Sequence, residues 1–277
     1  MRVIQPFLDN EFMQRALLAG VLLSALAAIV GTYVVLRGLA FIGDALAHGV
    51  LPGVAIAAIV GAPVLVGAGI AAFAMIAGIG VITSRSRLSN DSAIGLLFVG
   101  LLSLGVVLVS SSRRIAGDLE SILFGEFLGV DGTDLIMLAA SLVIAVVIVS
   151  STSRALLLSS FDEDLAQAMG FGVRAHYFLL LGLVAGTVVV AFQAVGTLLV
   201  FGLLLAPSAT GALVARRIGT MMAVAAVVGI VSSYIGLLSS YHFGWAAGAS
   251  VVLCAVAIFF AVLLAVRVRD IVVRRHV

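Results

Sequence analysis

From Ala16 to Leu36 the chain runs without one charged residue, and apolar runs of similar length recur to its end. About 20 apolar residues in helical form cross the hydrocarbon core of a bilayer. A soluble domain of this size would need a polar coat. Here 63% of the 277 residues are hydrophobic, 10% are charged, and the mean hydropathy is +1.32. The reading is an all-α polytopic transmembrane helical bundle of about eight or nine spans, forming one domain over residues 1–277.

Residues 1–15 mix charge with bulky apolar side chains and are expected to form a surface lead-in. The nine expected spans begin with Ala16–Leu36 and Asp44–Val60; the third ends near Ile82, and the fourth covers Ser92–Ser110. The fifth ends near Ser151, the sixth covers Tyr177–Phe192, and the seventh is short, ending at Ala206-Pro207. Thr220–Leu238 and Ala246–Val266 complete the set. Asn90 or Asp91 is the expected cap of the fourth. The first run lacks a small-residue cleavage site and should remain as an anchor. GxxxG pairs at Gly182/Gly186 and Gly244/Gly248 suit close helix packing in lipid.

All fifteen basic residues are arginine. Nine spans put the two ends of the chain on opposite sides. With the tail 267–277 in the cytoplasm, Arg37, Arg85, Arg87, Arg154, Arg174, Arg216, Arg217, Arg267, Arg269, Arg274 and Arg275 lie inside. Arg2, Arg15, Arg113 and Arg114 lie outside, so the positive-inside rule selects this orientation and an extracytoplasmic N-terminus.

Within the stretch RGLAFIGDALAHGVLPG, Asp44 and His48 stand four residues apart, so on a helix they share one face. On a soluble helix a capping aspartate and a packed histidine would explain the pair. Inside a bilayer, ionisable groups are costly and mark pathways. A carboxylate and an imidazole on one turn suit zinc, manganese or iron. Pro52 cannot donate to the carbonyl of His48, and Gly49 and Gly53 loosen the turn, so the helix is expected to bend just past the pair.

Residues 152–176 interrupt the apolar pattern. Asp162, Glu163 and Asp164 open a short amphipathic helix, with Leu165, Ala166 and Met169 on its other face and Gly170 or Gly172 at its end. It is either an interfacial helix or a docking element for another protein. The interval 111–134 is acidic, with Asp118, Glu120, Glu126, Asp131 and Asp134 against Arg113 and Arg114; most of these residues read as turn and cap positions. His242, beside Tyr241 and near Trp245, is either an interfacial histidine or a relay ligand for an incoming metal. His176, His276 and the lone Cys254 are given no metal role. The chain has no GxxxxGK[ST] loop and no lysine to complete one, so it is not itself an ATPase.

Taken together, RGLAFIGDALAHGVLPGVA, DSAIGLLFVG, DLESILFGEFLGV, SFDEDLAQAMGFGV, AVGTLLVFGLLLAPSATG and SSYHFGWAAGASVV resemble the zinc/manganese/iron permease family of bacterial ABC importers, nearly end to end. One departure is Trp245-Ala246, where relatives often carry a proline before the glycine. The resemblance implies a homodimer in the bacterial cytoplasmic membrane. Each copy would bind a cytoplasmic ATPase through a coupling helix at Asp162–Gly170 and receive metal from an extracytoplasmic binding protein. No cofactor would be held permanently. Asp44 and His48 would be the metal ligands. A proton-coupled secondary carrier, and a permease for an iron chelate or cobalamin, are the alternatives.

Overall fold

The structure, a computed structural model, describes residues 5–111 and 127–274. Among these residues there are helices and no strands. They comprise α1 (Gln5–Asp9), α2 (Glu11–Leu36), α3 (Ile42–Gly49), α4 (Leu51–Val60), α5 (Val64–Arg85) and α6 (Asn90–Ser111). After a short 3-10 turn at Phe127–Gly129 come α7 (Gly132–Phe161), α8 (Glu163–Ala168), α9 (Val173–Val195), α10 (Thr197–Val214), α11 (Ile218–Phe243) and α12 (Ala247–Arg274). Nine of the described segments are long and apolar enough to cross a membrane, with α3 and α4 counted as one.

The bundle is built around α2, which packs against α7, α9, α10 and α11. Leu23, Leu26, Val30, Tyr33 and Val34 on this helix are fully enclosed. By contrast α5, α6, α7 and α12 expose most of their length, with Phe73, Val99, Ile136, Val147 and Leu253 turned outward. In lipid such faces need no polar coat.

Several boundaries move from those expected. The lead-in is short, because α2 starts at Glu11. Arg15 pairs with Glu11 on the outer face of this turn, while Met13 and Ala16 are buried on the inner one. Ser89, rather than Asn90 or Asp91, caps α6 by accepting the N–H of Ser92 at 3.2 Å. Pro207 does not end the seventh span; α10 runs on to Val214 with Pro207 buried inside it. Membrane helices tolerate proline where surrounding helices enclose it. Helix α7 continues ten residues past Ser151, so of the segment 152–176 only residues 162–172 stand between long helices. In this extension Ser159 and Ser160 return their hydroxyls to the carbonyls of Ala155 and Leu156, at 2.7 and 2.6 Å. That keeps polar side chains satisfied within the helix.

The glycines also act elsewhere than the GxxxG spacing suggested. Gly182 and Gly186 meet nothing within the chain and border an open groove of about 380 Å³ between α7 and α9. The tight crossing is that of α4 over α5. A Cβ on Gly53 would lie 2.1 Å from the carbonyl oxygen of Gly67, and one on Gly67 would lie 2.2 Å from that of Gly53. Neither backbone can retreat without moving its helix. Gly53 is therefore a contact residue as well as a loosening one, and Gly53→Ala is expected to cost about 1–3 kcal/mol through overpacking. Gly69→Ala, on the same α5 with open space around it, should be neutral or slightly stabilising. Thermal unfolding of the two variants in detergent checks the difference.

Candidate functional site

The helix that begins at Ile42 passes at Val50, two residues before Pro52, into α4, with Pro52 in the first turn of the latter. Proline is well placed there, because first-turn N–H groups have no partner within the helix. The joint keeps helical dihedrals, Val50 standing at φ −80° and ψ −12°. The N–H groups of Val50 and Val54 donate to the carbonyls of Leu46 and Val50 at 3.1 Å each, so the helical course is disturbed at one residue and carried on. Gly49 faces Met75 of α5, whose sulfur would sit 2.5 Å from an added Cβ. Helix α3 thus forms one span with α4, packed inside the bundle with α5 close against the joint. Its residues Ile42, Ala45, Leu46 and Ala47 are buried.

Asp44 and His48 project together from α3, with His48 Nε2 3.4 Å from Asp44 Oδ1. Both side chains remain partly open, 36% for Asp44 and 26% for His48. His48 Nδ1 is buried and has no hydrogen-bond partner. Whichever ring nitrogen carries the proton, the other offers a lone pair, and the imidazole has unspent bonding capacity next to a carboxylate. The ring of Phe98 on α6 lies 6.1 Å from that of His48. Asp44 opens into a cavity of about 150 Å³ bounded by Phe41, Ala45, Ile94, Gly95, Phe98 and Asp91. Asp91 is thus a second carboxylate on the cavity that holds Asp44. In the sequence it looked only like a cap; its one signal was its place at the opening of an apolar helix.

Among the described residues no third His, Cys, Asp or Glu joins the pair into a metal-holding group. His242 lies at the far end of α11, exposed, with Nδ1 2.9 Å from the Leu238 carbonyl oxygen and its ring against Tyr241. The structure does not bring it to Asp44 and His48. His176 likewise engages the Gly172 carbonyl oxygen at 2.8 Å. His276, Arg113, Arg114, Asp118, Glu120 and Glu126 lie outside the described residues. Asp131 and Asp134 form a reciprocal capping box at the start of α7, as their cap reading expects.

At the end of the bundle that carries Arg37 and Arg85, α8 sits in the turn between α7 and α9. Asp162 caps it by accepting the N–H of Leu165 at 2.9 Å, and Glu163 and Asp164 occupy its first turn. Gly170, at φ +84°, closes it: the Phe171 N–H donates to the Ala166 carbonyl and that of Gly170 to the Gln167 carbonyl, each at 3.0 Å. This is the left-handed closure that favours glycine. Leu165 and Met169 are exposed, whereas Ala166 is fully buried. The three therefore do not share one free face: Ala166 seats the helix and the two larger residues stand clear. Beside α8 a cavity of about 870 Å³ is lined by Glu163, Gln167, Arg174, Tyr177, Asn90 and Ser84, among others. Arg37 reaches the same region, and burial pulls its guanidinium below its ordinary pKa range while Glu163 pushes it back up.

Nine apolar spans among the described residues, with a carboxylate–imidazole pair on one of them, are the architecture of a polytopic membrane protein. The comparisons with known proteins make this specific. Residues 9–266 match the model of the ABC 3 transport family, and the chain belongs to that family. It is 38% identical over 261 residues to the manganese transport system membrane protein MntC of Listeria monocytogenes, covering 94% of this chain and 92% of that one. The probable iron transport system membrane protein of Haemophilus influenzae is 35% identical over 263 residues, covering 95% and 96%. The solved PsaBC complex of Streptococcus pneumoniae with a Fab contains a chain that superposes with a TM-score of 0.83 at 34% identity, covering 94% of each. An inward-facing metal-chelate type ABC transporter, at 18% identity and a TM-score of 0.73, shares the fold.

The pair on α3 is a partly exposed i,i+4 contact, so it adds little to stability. Asp44→Asn and His48→Gln are each expected to change folding free energy by about 0.5 kcal/mol or less. Thermal unfolding in detergent, beside Gly53→Ala, checks that the pair is dispensable for the fold.

Proposed function

We propose that this chain is the permease subunit of an ATP-driven importer for a divalent transition metal, with manganese as the favoured cargo. The observation that carries the reading is the Asp44–His48 pair on α3 within the bundle, its imidazole holding an unpartnered nitrogen.

The donor set is one hard oxygen and one borderline nitrogen, with no thiolate. That set suits manganese and iron(II) as well as zinc. Manganese is favoured because the relatives from Listeria monocytogenes and Streptococcus gordonii are named for manganese transport or import. Two protein ligands per chain leave most coordination positions to water, backbone carbonyls or a second copy related by a twofold axis. Asp91 gives the cavity beside Asp44 another carboxylate, toward the arginine-rich end. Placing that end in the cytoplasm of a bacterial cell satisfies the positive-inside rule.

Residues 162–170 then face the cytoplasm and form the coupling segment. Leu165 and Met169 offer exposed apolar side chains to a groove on a separate ATPase subunit, and the acids on the first turn of α8 set its rim. Nucleotide-driven closure of two ATPases would move two such segments and turn the Asp44/His48 sites from the outer to the inner side. A metal-binding protein would deliver the ion from outside. No resident cofactor is required by this scheme.

Proteoliposomes holding the chain, its ATPase and the delivery protein test the proposal. ATP-dependent manganese uptake is expected, insensitive to an uncoupler and abolished in the Asp44→Ala, His48→Ala double variant. Zinc and iron(II) should compete less well. Uptake retained by the double variant would remove the site, and uptake without ATP would move the chain to proton-coupled carriers.

A further inference from the structure

Arg37 closes α2, seven residues before Asp44, and its side chain reaches across the bundle. Its Nε donates to Ser160 Oγ at 3.2 Å, and a terminal nitrogen donates to Ser159 Oγ. Both serines sit in the last turn of α7, just before Asp162. The guanidinium also lies over the ring of Tyr177, 5.8 Å from its centre, on the first turns of α9. Arg37 therefore holds the helix that enters α8 and the helix that leaves it. Glu163, on α8 itself, acts on the same charge through space.

The other side of Arg37 leads to the metal site through hydrogen-bonded turns. The N–H groups of Arg37, Gly38 and Leu39 donate to the carbonyls of Tyr33, Val35 and Val34, at 3.0, 3.1 and 3.0 Å. Ile42 N–H donates to Leu39 at 3.1 Å, and Ala45 N–H donates to Phe41 at 2.8 Å. Leu39 and Ile42 are buried. The path from the guanidinium to Asp44 is thus a run of closed turns pinned by two core side chains. A displacement at Ser159 and Ser160 has a mechanical route into α3.

We infer that Arg37 is a positioning residue for transport, the strut by which movement of the α8 segment is passed to the Asp44/His48 helix. A bare positive charge would satisfy membrane orientation. The forked contact with two serines, and the stacking on Tyr177, are more than orientation needs. Arginine fits because its planar guanidinium can meet two hydroxyls and a ring together, which a lysine ammonium cannot. A contiguous chain of contacts is the physical form such coupling takes.

The inference rests on residues 162–170 being the ATPase-facing segment, and the test separates the two claims. In the proteoliposome system, ATP hydrolysis and manganese uptake are measured together, and assembly with the ATPase is measured by co-purification. Arg37→Gln should assemble and hydrolyse ATP like wild type while the manganese moved per ATP falls about tenfold, within the range of inter-site coupling. Arg37→Lys should fall part of the way. The double variant Ser159→Ala, Ser160→Ala keeps the arginine, and it decides the question if Arg37→Gln fails to fold; its manganese per ATP should also drop. An unchanged ratio in the serine variant, or uptake and hydrolysis declining in parallel, would overturn the strut. Leu165→Asp with Met169→Asp should abolish assembly; if assembly survives, it is the docking segment that is misplaced, and the Arg37 ratio is still read.

Discussion

The constraint on which everything else depends is that lipid offers the backbone no hydrogen bonds. An unsatisfied amide in the hydrocarbon region costs several kcal/mol, so each span is helical and irregular backbone is confined to places that protein covers. The joint at Val50 obeys this rule: hydrogen bonds from Val50 to Leu46 and from Val54 to Val50 carry the helix across it, and Val50, Leu51 and Pro52 are all buried. The two adjacent ionisable side chains, Asp44 and His48, stand on the helix just before it.

Burying the α3–α4 joint requires close neighbours, and this gives the small residues their task. Gly53 and Gly67 bring α4 and α5 into backbone contact, and Gly49 lets Met75 against the turn. A Cβ at Gly53, Gly67 or Gly49 would have to push α5 away from this joint. On the other flank Phe98 and Ile94 of α6 wall the cavity beside Asp44. The site is enclosed on the protein side and partly open at its carboxylate. Under the proposed role, that opening is what lets the pair meet an ion and then part from it.

Much of this was legible in the chain. Apolar runs separated by short polar, glycine- or proline-bearing breaks give about eight or nine spans, because length and lack of charge are enough to mark a membrane helix. Asp44 and His48 stand out because ionisable residues are conspicuous inside an apolar run, and Pro52 marks the joint between α3 and α4. What the sequence hid were properties of pairs distant along the chain. Nothing in the local pattern at Gly53 says that Gly67 lies against it, while the GxxxG spacing at Gly182 and Gly186 suggested a crossing that the single chain does not make. Pro207 looked like a terminus because its penalty in water is large; inside α10 it is buried among helices. The continuation of α7 to Phe161 was masked by Ser151, Ser153, Ser159 and Ser160, whose hydroxyls read as loop in a soluble protein. Three of them return to their own helix, to Ile148, Ser150 and Leu156, and Ser159 does the same to Ala155.

The position of Arg37 follows from the same economy. A guanidinium near the membrane must be solvated by water, by headgroups or by protein, and here it is solvated by Ser159, Ser160 and the face of Tyr177. Those partners belong to the two helices that flank α8, so solvating the charge ties three segments together. Partial burial makes the tie worth more than an exposed contact, since fewer waters compete for the donors. A charge that the membrane forces to the end of α2 thus becomes a joint between the arginine-rich end and α3. The physics that fixes the topology also supplies the linkage, with no separate device needed.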